Sequence, residues 1–162
     1  MAYKLKILSE MELCLLSYSG HVEPKDFEEV WERAGAAKDY SPAFDDIAIL
    51  CPDADYSDIA YEVVLRQSIR FVELYQVSNL KREKRCAFVC SNEMQIAMAT
   101  MFGAVVSSHG VRDFGFEAFT SLGPALQWIE NGARSGRTLD RLKIDNVIHQ
   151  LGAAWCLTRS AA

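Results

Sequence analysis

Two cysteines stand where an α/β protein would do its chemistry. Cys51 and Cys90 each close a short apolar run, Ile47–Cys51 and Cys86–Cys90. Such runs, apolar on both faces, read as central strands covered on both sides. The carboxyl ends of central strands are the edge at which open α/β sheets hold ligands. Cys90 also stands just before a helix start, whose positive end favours a thiolate. A nucleophilic cysteine needs a base beside it, and no sequence signature supplies one. Cys86 falls on the same strand face two pleats earlier, and cysteine packs readily as a small hydrophobe. Cys51 and Cys90 are therefore expected to be unreactive structural thiols, and no residue is assigned a catalytic role.

The other polar and sulfur-bearing candidates for contact with a ligand are Ser57, Asn92, Met98 and Met101. Ser57 is placed to cap the helix that follows it. Asn92, with Gln95 three residues on, resembles a capping box. Met98 and Met101 belong to a stripe with Met94, Ala97, Phe102 and Val105, which reads as core filling behind a strand. The histidines, His21, His109 and His149, have no metal-ligand spacing, and there is no Cys-x-x-Cys. Asp53, Asp55 and Asp58 alternate as in a calcium loop but lack its glycine and its distal glutamate, so helix capping accounts for them. No glycine-rich phosphate cradle is present. Neither a metal nor a cofactor is expected.

The charge balance narrows the partners. With 22 acidic and 17 basic side chains the net charge is −5. A phosphate backbone requires a clustered positive surface, so nucleic acid is not expected as a partner. The one dense basic stretch, Lys81-Arg82-Glu83-Lys84-Arg85, reads as a solvated turn. No apolar run approaches the ~20 residues that cross a bilayer, and the first residues turn polar at Ser9-Glu10 before a signal-peptide core forms. Five cysteines at irregular spacing point to a reducing compartment, the cytoplasm.

The elements that must hold these residues follow from periodicity. Tyr3–Leu8 alternates as a half-buried strand and Leu13–Tyr18 is a second, which together predict a hairpin. Pro24 opens a helix with Phe27, Val30, Trp31 and Ala34 along its inner face. A long helix, roughly Asp58 to Asn79, carries two apolar stripes, Ala60/Val64/Phe71/Leu74 and Tyr61/Leu65/Ile69/Val72, so its second face needs a partner. Arg112–Phe119 reads as the last strand, and Ser121 starts a short helix with Leu122, Ala125, Leu126 and Ile129 inward. Residues 1–130 are read as one α/β domain, 131–138 as a linker, and 139–162 as an appended amphipathic helix and tail. Ile144, Val147, Ile148, Leu151 and Trp155 form that helix's stripe. This surplus apolar surface predicts a homodimer, most simply with twofold symmetry, in which the helix Leu139–Leu157 takes part; the alternative is that the tail folds back over its own domain and leaves a monomer.

The order strand-strand-helix, strand-helix, strand-helix, strand-helix, with several local stretches, resembles the SpoIIAA-like branch of the STAS superfamily. The stretches are Ser19-Gly20-His21-Val22, Tyr40-Ser41-Pro42-Ala43-Phe44, Arg85–Val89 leading into Met94–Phe102, and Phe119–Ile129. They lie within about residues 3–130. The resemblance implies a mixed sheet of about five strands with helices packed on it, and no cofactor. Anti-anti-sigma members carry a phosphorylatable serine in an Asp-Ser-Ser-Gly setting; Ser57 holds a similar position here, without the Ser-Gly pattern. The leading expectation is a non-enzymatic module that binds a protein partner or itself. A carrier or sensor of a small apolar or lipid-like ligand, as in the SEC14 grouping, is the alternative, and a thiol enzyme the third.

Overall fold

The computed structural model of the chain describes residues 1–78, 83–109, 114–132 and 137–158. Five strands form one sheet: β1 (Tyr3–Leu8), β2 (Leu13–Tyr18), β3 (Asp45–Leu50), β4 (Lys84–Cys90) and β5 (Phe114–Phe119). Their spatial order is their chain order. β1 and β2 are the expected antiparallel hairpin, with Tyr3 opposite Tyr18 and Leu8 opposite Leu13. Every later neighbour is parallel. Of the expected last strand, residues 112 and 113 lie outside the described residues.

The parallel strands are joined by α1 (Pro24–Ala36), α2 (Tyr61–Ser78) and α3 (Glu93–Ser108). Pro24 opens α1 as expected, and Glu23 and Asp26 close a capping box over its first turn. Each crossover steps one place in the same direction, so right-handed connections put all three helices on one face of the sheet. That face is built from alternate strand residues such as Leu16, Tyr18, Leu50, Phe88 and Cys90, which pack with Phe27, Val30 and Ala99 of the helices. Phe71, Val72 and Tyr75 of α2 gather with Cys86, Phe114 and Phe116 beside them. α2 lies between α1 and α3, which explains its two stripes: Val72 is buried while Tyr61 stays exposed.

The opposite face would lie bare without the C-terminal third of the chain. It is covered by α4 (Leu122–Glu130), α5 (Arg141–Gln150) and the short α6 (Trp155–Thr158). Leu139, Ile144, Val147, Ile148, Leu151 and Cys156 share one core with Leu13, Leu15, Ile47, Ile49 and Val89. The expectation of an appended helix with surplus apolar surface is thereby corrected. The stripe is buried against the chain's own sheet, so the tail's share of the surplus behind the expected dimer is taken up within one chain. Nor is the tail one continuous helix over Leu139–Leu157. Gly152 sits in the left-handed region at φ 75°. Its N–H donates to the His149 carbonyl and that of Ala153 to Ile148, both at 3.0 Å. This is the Schellman arrangement that stops a helix.

Two further boundaries differ from the sequence reading. α2 begins at Tyr61, so Ser57 does not cap it. Residues 53–60 are committed instead to a loop laced to the start of α1, with Val22 N–H donating to the Asp55 carbonyl (2.9 Å) and Asp55 N–H to that of Gly20 (2.8 Å). The basic stretch is not a solvated turn at its end: Lys84 begins β4 with its side chain fully buried. Lys81 and Arg82 lie outside the described residues. No described helix is long and apolar enough to cross a membrane.

Candidate functional site

Between the sheet and α1, α2 and α3 lies a cavity of about 120 Å³. Its floor is Leu16, Ala48 and Phe88, laterally adjacent residues of β2, β3 and β4. Ala48 is the smallest residue of that row, at its middle, which leaves space where a longer side chain would fill it. The helices supply Phe27, Val30, Trp31, Phe71 and Phe102. The lining is mainly aliphatic and aromatic, and its few polar groups fall into two sets.

The first set is satisfied. Cys14, Asp46 and Cys86 are lateral neighbours across β2, β3 and β4 and face the cavity together. Lys84 Nζ donates to Asp46 Oδ2 at 2.7 Å and to the Pro42 carbonyl at 3.2 Å, and it rests 4.7 Å from the centre of the Tyr75 ring. Burial opposes the ammonium, but Asp46 beside it holds the Lys84 pKa above the usual lysine range. Cys86 Sγ donates to Asp46 Oδ2 at 3.4 Å. Burial first, and the Asp46 charge next, push the Cys14 and Cys86 thiols up, so both stay protonated at neutral pH.

The second set is not satisfied. Gln67 lies on the face of α2 between Val64 and Phe71, at steps of three and four, and is only 5% exposed. Among the described residues, neither its Nε2 nor its Oε1 has a hydrogen-bond partner. Tyr56, also part of the cavity wall, has a buried hydroxyl without one. A buried polar group without a partner costs about 1–3 kcal/mol, so this arrangement is expensive in the free protein. The other fully buried glutamine shows the contrast. Gln95 Nε2 donates to the Cys51 carbonyl at 3.1 Å, while its Oε1 accepts the Ser91 N–H (2.8 Å) and hydroxyl (3.0 Å).

The structure separates the residues singled out from the sequence. Cys51, just past β3, is buried on the α4–α6 side; burial raises its pKa, against a hydrogen bond from Trp155. Cys90 ends β4 on the other face, buried, with its pKa pushed up to about 12 by burial. Both environments favour thiol over thiolate. Asn92 Oδ1 caps α3 by accepting the Gln95 N–H at 3.0 Å, but Gln95 Oε1 in return accepts the N–H of Ser91 rather than that of Asn92. Ser57 is exposed, its N–H donating to Asp55 Oδ1 at 2.9 Å. Met98 borders the cavity, whereas Met101 is half-buried elsewhere on α3. Among the described residues, no group of three His, Cys, Asp or Glu side chains could hold a metal ion.

Gln67, Asp46 and Lys84 are the site residues that the sequence reading passes over. The signal for Gln67 is a gap: the stripe Ala60, Val64, Phe71, Leu74 skips the position between Val64 and Phe71 where an apolar residue belongs. Comparison of the chain with models of protein families, with curated proteins and with solved structures finds no match in any of the three.

Proposed function

We propose that this chain is a SpoIIAA-like module of the STAS type that takes a small, mainly apolar molecule into the cavity beneath α1, α2 and α3, and that it works without making or breaking bonds, in the cytoplasm. The cavity carries the reading. A void of about 120 Å³ walled by aromatic and aliphatic side chains forfeits packing energy that a filled core would keep. An apolar cavity of roughly 150 Å³ is enough to take up benzene. At slightly less than that volume, the enclosed space suits a ligand group no larger than a single ring. The family assignment rests on the element order and on the stretches quoted above.

Burying a ring of six carbons at about 0.8 kcal/mol each corresponds to a sub-millimolar Kd. The test is titration of the full-length protein with toluene, followed by NMR of side-chain methyl groups. Saturable shifts are expected at Leu16, Val30 and Met98. The variant Ala48→Leu, which fills the floor, should reduce the affinity at least tenfold. Toluene shifts that are absent, or spread evenly over the surface, would defeat the reading.

A further inference from the structure

We infer that the ligand of this cavity carries a cis-amide edge, as in a small planar lactam, and that Gln67 is the residue that reads it; this rests on the reading of the cavity as a ligand site. The carboxamide of Gln67 offers two N–H donors on one side and an acceptor oxygen on the other. Both atoms are buried and without a partner in a wall whose neighbours, Val64 and Phe71, are apolar. One ligand group that satisfies both at once is its mirror in hydrogen-bonding terms: a carbonyl oxygen beside an N–H on the same edge. A hydrocarbon would leave both atoms unsatisfied, and a carboxylate would leave Oε1 facing another acceptor.

The rest of the cavity sets the body of the ligand. Trp31, Phe71, Phe88 and Phe102 border it, and Phe71 and Phe88 each meet Phe102 edge-on, with centroids 5.4 and 5.8 Å apart. Walls of this kind favour a flat ring. The volume limits that ring to about the size of benzene. Cations find no unpaired acid in the first polar set, because the Asp46 carboxylate already holds Lys84. A neutral ring with one donor–acceptor edge meets all three conditions.

Three probes of similar size separate the ideas: 2-pyridone, which has the edge; N-methyl-2-pyridone, which keeps the carbonyl and lacks the N–H; and toluene, which has neither. Each is titrated into wild type, Gln67→Leu and Gln67→Met, with methyl NMR as the readout. Both variants replace an unpartnered polar group by an apolar one of similar volume, so at least one should fold. Wild type is expected to bind 2-pyridone at least tenfold more tightly than its N-methyl form. Either variant should lose at least tenfold for 2-pyridone while toluene binds as before or better. Comparison across variants cancels the differing cost of taking each probe from water. Equal binding of 2-pyridone by wild type and variants, or binding of toluene without 2-pyridone, overturns the role of Gln67 and leaves the apolar site standing. Failure of all three probes overturns both.

Discussion

His21 is held between two carboxylates at the surface, Nδ1 3.2 Å from Asp55 Oδ2 and Nε2 3.0 Å from Asp58 Oδ2. Only the doubly protonated ring can donate to both. The hydrogen bond to Asp55, and after it the one to Asp58, raise the His21 pKa above 6.5. The Asp55 carboxyl is lowered below 3.8, by the Ser57 backbone N–H first and His21 next. The signs fix the pH window of this contact. A raised histidine contributes fully below its unfolded pKa and loses its effect as pH rises through the folded value. A lowered aspartate contributes above its unfolded pKa and loses its effect as pH falls. The staple between the β2–α1 and β3–α2 loops is therefore at its strongest from about pH 4 to 6.5. All three groups are exposed, so the effect on stability is small and falls with salt. In an NMR titration, the His21 ring should show an inflection above 6.5 that moves down in Asp58→Asn; an inflection at or below 6.5 would remove the staple. None of this was visible in the residue spacing, because His21 and Asp55 meet only through the fold. Gln67 differs: its place in the stripe was legible, and only its polarity hid its position.

At the scale of elements, the sequence marks β1 and β2 end to end but misses the starts of β3 and β4. Ile47–Leu50 and Cys86–Cys90 are apolar runs and announce themselves. β3 and β4 nevertheless begin with Asp45-Asp46, which lies before the expected strand Ile47–Cys51, and with Lys84-Arg85, which belongs to the stretch read as a turn. Charges enter a strand when a distant segment supplies the counter-charge, and that pairing is non-local: Asp46 with Lys84 of β4, Asp45 Oδ2 with Arg137 of the loop before α5 at 2.6 Å. The buried pair makes a sharp prediction. Lys84→Met leaves the Asp46 carboxylate without its cation and should cost about 3–5 kcal/mol in a urea melt. Asp46→Asn combined with Lys84→Met removes both charges and should recover much of that loss. If the double variant is as unstable as the sum of the singles, the two groups do not act as a pair. The cycle also bears on the cavity, because Asp46 is part of its wall.

The whole molecule explains why two apolar strand faces demand the tail. β3 and β4 are apolar on both sides, so each needs cover above and below. Three right-handed crossovers in one direction can cover only one side. The other must come from beyond β5, a conclusion available in principle from the element order alone. The glycine-bearing stretch near residue 132 hides it by looking like the end of a domain, and an apolar stripe says that a helix packs without saying against what. Arg137, directly after residues 133–136, which lie outside the described ones, fastens the tail back. It pairs with Asp45 and donates to the carbonyls of Met11 and Glu12, the latter a non-glycine residue at φ 48°. Farther along, the Ser17 hydroxyl donates to the Leu151 carbonyl at 3.2 Å, and Lys143 reaches Glu10. Leu139, Ile144, Val147, Ile148 and Leu151 are all buried, at about 1.5–3 kcal/mol each. Their combined contribution is of the same order as the ~5–15 kcal/mol that holds a domain folded. Deleting residues 137–162 should therefore abolish cooperative unfolding, with loss of near-ultraviolet circular dichroism and aggregation through the uncovered face of Leu13, Leu15, Ile47, Ile49 and Val89. A truncated chain that stays monodisperse and melts cooperatively would show that the tail is an accessory, and would return the apolar stripe of α5 to the role of an interface.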